Sequence, residues 1–179
     1  MEEFVFKMVL LGDKATGKTS LIRQYVHSSF EGRYTGTIGL NVSNKRLKVQ
    51  LENVDYLVQL VIYDIEAEGN FEDLFGPFAL GSVAAMLVFD VSREETLDSI
   101  EDWILRLKSV IKSDALDNAI LIGNKIDLPP AVNKDDALKF VNQFNLLKYL
   151  ETSAKNNKGV QEAFELFAKR ILKKTLSES

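Results

Sequence analysis

The residues Gly12-Asp13-Lys14-Ala15-Thr16-Gly17-Lys18-Thr19 match the pattern G-x-x-x-x-G-K-[ST] in full. Residues of these types at this spacing can wrap a chain of phosphates. Glycine at each end lets the backbone turn its N–H groups inward around an anion. Lys18 adds a point charge for the β- and γ-phosphates, and the Thr19 hydroxyl can ligate Mg²⁺. The apolar run Phe4 to Leu11 reads as a strand entering this loop, and Thr19 to Val26 as a helix leaving it. Such a helix aims its positive dipole end at the same anion, which brings Ser20 in its first turn close to the phosphates. The motif implies a nucleoside triphosphate and leaves the base open.

A second set of residues addresses the base. Asn124-Lys125-Ile126-Asp127 follows the apolar strand Ile120-Leu121-Ile122-Gly123, and Glu151-Thr152-Ser153-Ala154-Lys155 also ends a short strand. Open α/β sheets bind ligands at the carboxyl ends of their strands, where both segments fall. The Asp127 carboxylate can accept from guanine's ring N–H and its exocyclic amine. Adenine would leave that carboxylate poorly paired, at a cost of about a few kcal/mol. A backbone N–H of the Ser153-Ala154-Lys155 run can close over the base.

The elements that must position these groups follow from hydropathy. Val83 to Val91 and Ala119 to Ile122 are near-continuous apolar runs, as expected of parallel strands buried on both faces. Leu97, Ile100, Ile104, Leu107 and Ile111 recur at helical spacing and predict a helix. Helices are expected also over Asp135 to Phe144 and Gly159 to Leu172, with a last strand at Lys148 to Leu150. Leu40 to Leu51 and Tyr56 to Ile65, joined by the polar turn Glu52-Asn53-Val54-Asp55, read as a hairpin. Strands alternating with helices specify an α/β domain with a mostly parallel sheet, and the hairpin supplies one antiparallel edge.

The 179 residues predict one domain, residues 1–174, with a short polar tail at 175–179. Residues 1–3 and the tail are expected to fray. A net charge of -4 speaks against a nucleic-acid binder, which needs a basic face. With no cysteine there is no disulfide, thiolate metal site, cysteine nucleophile or prenyl or palmitoyl anchor on this chain. No apolar run is long enough to span a bilayer. The expectation is a cytoplasmic monomer that contacts membranes at most indirectly. His27, near a helix end, reads as a surface residue, and Trp103, inside the apolar-striped helix, as a packing residue.

On Gly12–Thr19, Tyr34-Thr35-Gly36-Thr37-Ile38-Gly39, Asp64, Val88-Phe89-Asp90-Val91, Asn124–Asp127 and Glu151–Lys155, the sequence resembles the Ras-like small GTPases over essentially its whole length, most closely their Rab branch. The resemblance implies a P-loop NTPase fold with a six-stranded sheet flanked by five helices, binding GTP and GDP with Mg²⁺. It implies that Asp127 reads guanine, that Asn124 and Lys125 brace the loop and cover the base, and that Phe30 packs on the guanine plane. Tyr34 joins the nucleotide-binding set. Thr37 would reach Mg²⁺ and the γ-phosphate in the GTP state, while Asp64 would hold Mg²⁺ through water. Effectors and regulators would engage residues 31–41 and 64–76.

The pattern breaks where the family carries D-x-x-G-Q. Here the residues are Asp64-Ile65-Glu66-Ala67-Glu68, so Ala67 stands for the γ-phosphate glycine and Glu68 for the water-positioning glutamine. Ala67 still presents a backbone N–H but adopts positive φ less readily than glycine. A carboxylate only accepts hydrogen bonds, whereas the amide it replaces also donates. Within about 5 Å of a phosphate oxygen it would be repelled by roughly 3 kcal/mol per unit charge at an effective dielectric of about 20. Either Glu68 points away and hydrolysis is slow, which is the expectation, or it serves as base toward the attacking water. Lys14 stands where the family keeps a small residue; it reads as solvent-facing, or as neutralising Glu68 or the γ-phosphate, or as blocking an arginine finger. The chain is expected to be a slow GTPase switch whose catalytic set is Lys18, Thr37 and Glu68. The alternative is a non-hydrolysing GTP-binding module.

Overall fold

The computed structural model describes residues 2–30, 40–65, 71–111 and 114–178. In chain order they form β1 (Glu3–Leu11), α1 (Lys18–His27), β2 (Leu40–Leu51), β3 (Val54–Ile65), α2 (Phe71–Ala79), β4 (Ala84–Asp90), α3 (Glu95–Asp98), α4 (Ile100–Val110), α5 (Asp114–Asp117), β5 (Ala119–Asn124), α6 (Lys134–Phe144), β6 (Lys148–Glu151) and α7 (Val160–Glu178). The strands make one six-stranded sheet in the order β2-β3-β1-β4-β5-β6. β2 pairs antiparallel with β3, and every other pairing is parallel. Five helices of nine residues or more flank the sheet, and α3 and α5 are single turns, among the described residues.

Alternation along the strands sorts the apolar residues into two layers. Met8, Leu10, Leu60, Ile62, Met86, Val88, Ile120 and Ile122 face one core, against Leu21 of α1 and Phe164 and Phe167 of α7. Val9, Leu11, Leu87, Phe89 and Leu121 face the other, against Phe75 of α2, Trp103 and Ile104 of α4 and Ala137 of α6. Each residue of β4 is buried, as a strand covered on both faces requires. Its last residue is nonetheless the charged Asp90.

The elements differ from the sequence expectation in four places. The hairpin turn is two residues, Glu52 and Asn53, at φ +49° and +66°, and β3 begins at Val54. Two consecutive positive-φ residues match the twist of the flanking strands, which lets pairing continue to the Leu51–Val54 pair. The apolar stripe expected as one helix divides at Ser99, whose hydroxyl donates to the Glu95 carbonyl at 2.9 Å. α2 was hidden by Pro77, which lies within it. Residues 175–178, expected to fray, continue α7: Thr175 Oγ1 donates to Ile171 O at 2.9 Å, and Leu176 packs against the first core. At the other end, Glu2 O accepts from Leu57 N at 2.9 Å.

Candidate nucleotide site

The phosphate loop hangs between β1 and α1. Gly12 has φ +143°, and a Cβ there would lie 2.0 Å from the Val88 carbonyl oxygen of β4. Gly17 has φ +98°, and its Cβ would meet Asn124 Nδ2 at 2.3 Å. Both glycines are therefore required by close approach as well as by backbone conformation. Lys18 is buried, with Nζ donating to Gly12 O at 2.7 Å and to Asp13 O at 2.9 Å. Thr16 is fully buried and donates its hydroxyl to Asp13 O at 2.9 Å. Lys14 is exposed, and Ser20 lies in the first turn of α1.

The segment Asn124–Asp127, expected to read the base, lies at the carboxyl end of β5, beside this loop. Asn124 Nδ2 donates to Thr16 O at 2.9 Å, while its Oδ1 accepts from Thr152 Oγ1 at 3.0 Å and from Ala154 N at 3.3 Å. One buried amide thus joins the phosphate loop to the loop after β6. Lys125, held at φ +67°, donates from Nζ to Ala15 O at 2.6 Å and pairs with Asp90 Oδ2 at 2.6 Å. Asp127 Oδ1 accepts from Ser153 Oγ at 2.5 Å, which orients its carboxylate. Ser153 Oγ itself accepts from Asn156 N at 3.0 Å. Lys155 and Phe30 are exposed, Phe30 by 40%.

Asp64, next to the end of β3, is 1% exposed and accepts a hydrogen bond from Thr19 Oγ1. Its second oxygen, Oδ1, is buried and has no hydrogen-bond partner among the described residues. Burial pushes this carboxyl above the ordinary range, against the opposing pull of the Thr19 hydroxyl and of the Lys18 and Arg23 charges. A hydroxyl and a carboxylate with an unsatisfied buried oxygen are hard oxygen donors of the kind Mg²⁺ takes, so the residues present fit that ion.

Tyr34, Thr37, Ala67 and Glu68 lie outside the described residues, as do 31–39 and 66–70 of the two expected partner-binding segments. Three side chains that the sequence reading had not assigned to the site take part in it. Trp103 packs in the second core as expected and also donates its indole N–H to Asp13 Oδ1 at 2.9 Å. Asp90 accepts from Ser92 N at 2.9 Å, Ser92 Oγ at 2.6 Å and Arg93 Nε at 3.2 Å. Arg93 Nη2 then reaches Lys14 O at 3.0 Å. Burial alone would raise the Asp90 carboxyl; the bonds from Lys125 and Ser92 hold it below the usual carboxylate range. The available signal was the charge at the end of an otherwise apolar strand.

A glycine-bounded loop with a seated lysine, opening between a strand and a helix of a parallel sheet, defines a P-loop nucleotide-binding α/β protein. Residues 7–173 match the Ras family, and the chain belongs to it. Over 168 residues it is 35% identical to Ras-related protein RabJ of Dictyostelium discoideum, covering 93% of this chain and 63% of that protein. Over 174 residues it is 32% identical to Ras-related protein Rab-2B of the same organism, covering 96% and 83%. The Ypt/Rab-type GTPase avaA of Emericella nidulans is 32% identical over 178 residues, covering 96% and 84%. These relatives bear out the Ras-like, Rab-type resemblance. No helix among the described residues is long and apolar enough to cross a membrane.

Proposed function

We propose that this chain is a guanine-nucleotide switch that binds GTP and GDP with Mg²⁺, hydrolyses GTP slowly, and alters its affinity for effectors and regulators through residues 31–41 and 64–76. The observation that carries the reading is the linkage made by Asn124, which joins the loop holding Lys18 to the loop whose Ser153 orients Asp127. A phosphate-binding charge and a purine-reading carboxylate then belong to one site. The Asp127 carboxylate accepts from the guanine edge, the Ser153–Lys155 run closes over the base, and Phe30 covers its face. Lys18 binds the β- and γ-phosphates and counters the charge that develops as water attacks the γ-phosphorus in line. Thr19, Thr37 and, through water, Asp64 would hold Mg²⁺, which when bound neutralises phosphate charge. Ala67 would offer a backbone N–H to the γ-phosphate. Glu68 cannot donate to it, which supports slow hydrolysis.

Single-turnover hydrolysis tests this. The protein should cleave bound GTP slowly, and the double substitution Ala67→Gly plus Glu68→Gln should accelerate cleavage about tenfold or more. Equal rates would show that the two departures are silent. Bound GTP that remains uncleaved over hours would instead support the alternative, a non-hydrolysing interaction module. A preference for ATP would remove both.

A further inference from the structure

We propose that Trp103 and Arg93 are positioning residues for the phosphate loop, fastening its outer side to α4 and to the turn after β4 so that the loop is shaped before nucleotide enters. The inference rests on the reading of that loop as a nucleotide site. Each of the consecutive residues Asp13 to Thr16 is held by a different distant side chain. Trp103 Nε1 donates to the Asp13 carboxylate at 2.9 Å, and Arg93 Nη2 to Lys14 O at 3.0 Å. Lys125 Nζ donates to Ala15 O at 2.6 Å, and Asn124 Nδ2 to Thr16 O at 2.9 Å. The last two come from the base-reading segment. Trp103 and Arg93 come from elements that carry no group for the nucleotide.

A planar trans peptide makes these contacts consequential. The carbonyl of one residue and the N–H of the next point in opposite directions across a single plane. Holding the Lys14 carbonyl from outside therefore turns the Ala15 N–H toward the concave side, where an anion is bound. Ala15 sits at φ +60°, a conformation that costs free energy and persists where its surroundings impose it. Both donors are themselves fixed. Trp103 is 4% exposed in the second core, and Arg93 is aimed by its Nε bond to Asp90. The Trp103 bond joins an indole N–H fixed by packing to a carboxyl oxygen at 2.9 Å, within ordinary hydrogen-bond length.

The test uses the full chain with two readouts: release of a fluorescent GDP, and amide hydrogen exchange at residues 13–17 without nucleotide. Trp103→Phe keeps the packed ring and removes the N–H; Arg93→Gln removes the fork at the surface, where folding is least at risk. GDP release should quicken roughly tenfold in Trp103→Phe and about threefold in Arg93→Gln. Loop exchange should rise in both while the thermal midpoint of the Arg93→Gln protein falls by only about 2–4 °C, as loss of one partly exposed ion pair allows, and Arg93→Lys should recover part of the effect. Unchanged loop exchange in both variants overturns the proposal, as does faster release that only parallels a general loss of stability. If the unaltered chain takes up no GDP while loop exchange still rises in the variants, the fastening stands and the guanine-nucleotide reading falls.

Discussion

At the base-reading end, Asn124 donates from its amide nitrogen to Thr16 and accepts at its amide oxygen from Thr152 and Ala154, and Ser153 holds Asp127 in place. At the opposite end of the same cleft, Asp64 gives one oxygen to Thr19 and keeps the other buried without a partner. At the first end the reading groups are oriented by protein–protein hydrogen bonds. The second keeps an acceptor that, on the proposed reading, a cation would engage. A buried polar group without a partner is costly, and of these two ends it is the Asp64 end that carries that cost among the described residues. Substitutions at the base end should therefore act with or without metal, and those at Asp64 only when metal is present.

The largest effect is expected at Asp127. Asp127→Asn should weaken GDP binding about a hundredfold or more by calorimetric titration, because one of the two accepting oxygens becomes a donor facing guanine's donors. An affinity near that of the unaltered chain would remove Asp127 as the purine reader and break the contrast at its stronger end.

Next comes Asp90, which holds Lys125 and Arg93 against the phosphate loop. Its carboxyl lies below the ordinary range when folded, so its contribution is complete above the unfolded value, near 4, and is lost as pH falls through the lower folded value. Asp90→Asn should cost about 2 kcal/mol in urea unfolding at neutral pH. The gap to the unaltered chain should narrow as the pH is taken below about 4. A gap independent of pH would mean that the charge of Asp90 is not what stabilises the pairing.

The smallest effect, and the one that sharpens the contrast most, belongs to Asp64. Asp64→Asn should speed GDP release roughly tenfold in magnesium buffer, and a chelator should then add nothing, whereas it should quicken release from the unaltered chain. An equal chelator response in both proteins would place the ion elsewhere.

The phosphate loop and the base-reading segment were legible in the sequence because their chemistry depends on residue type over a few adjacent positions. Glycine at 12 and 17 meets a close approach that no larger residue fits, and the roles proposed for Lys18 and Asp127 rest on a charge and a paired acceptor that few residue types supply. The order of strands and helices was legible for a similar reason, since alternation and helical spacing are local consequences of burying one face. α2 escaped because Pro77 argues locally against a helix, while Phe75 and Ala79 gain burial that only the completed second core offers.

What the amino-acid order determined by itself was the family and the layered α/β architecture. The tertiary structure alone decided which side chains brace the loop. Trp103 was legible as a packing residue and not as a donor to Asp13, because those positions meet only once β1 and β4 pair and α4 packs across them. Arg93 meets Lys14 by the same route. A hydrogen bond between positions so far apart in the chain depends on sheet order and helix placement, and neither residue carries a local mark of its partner.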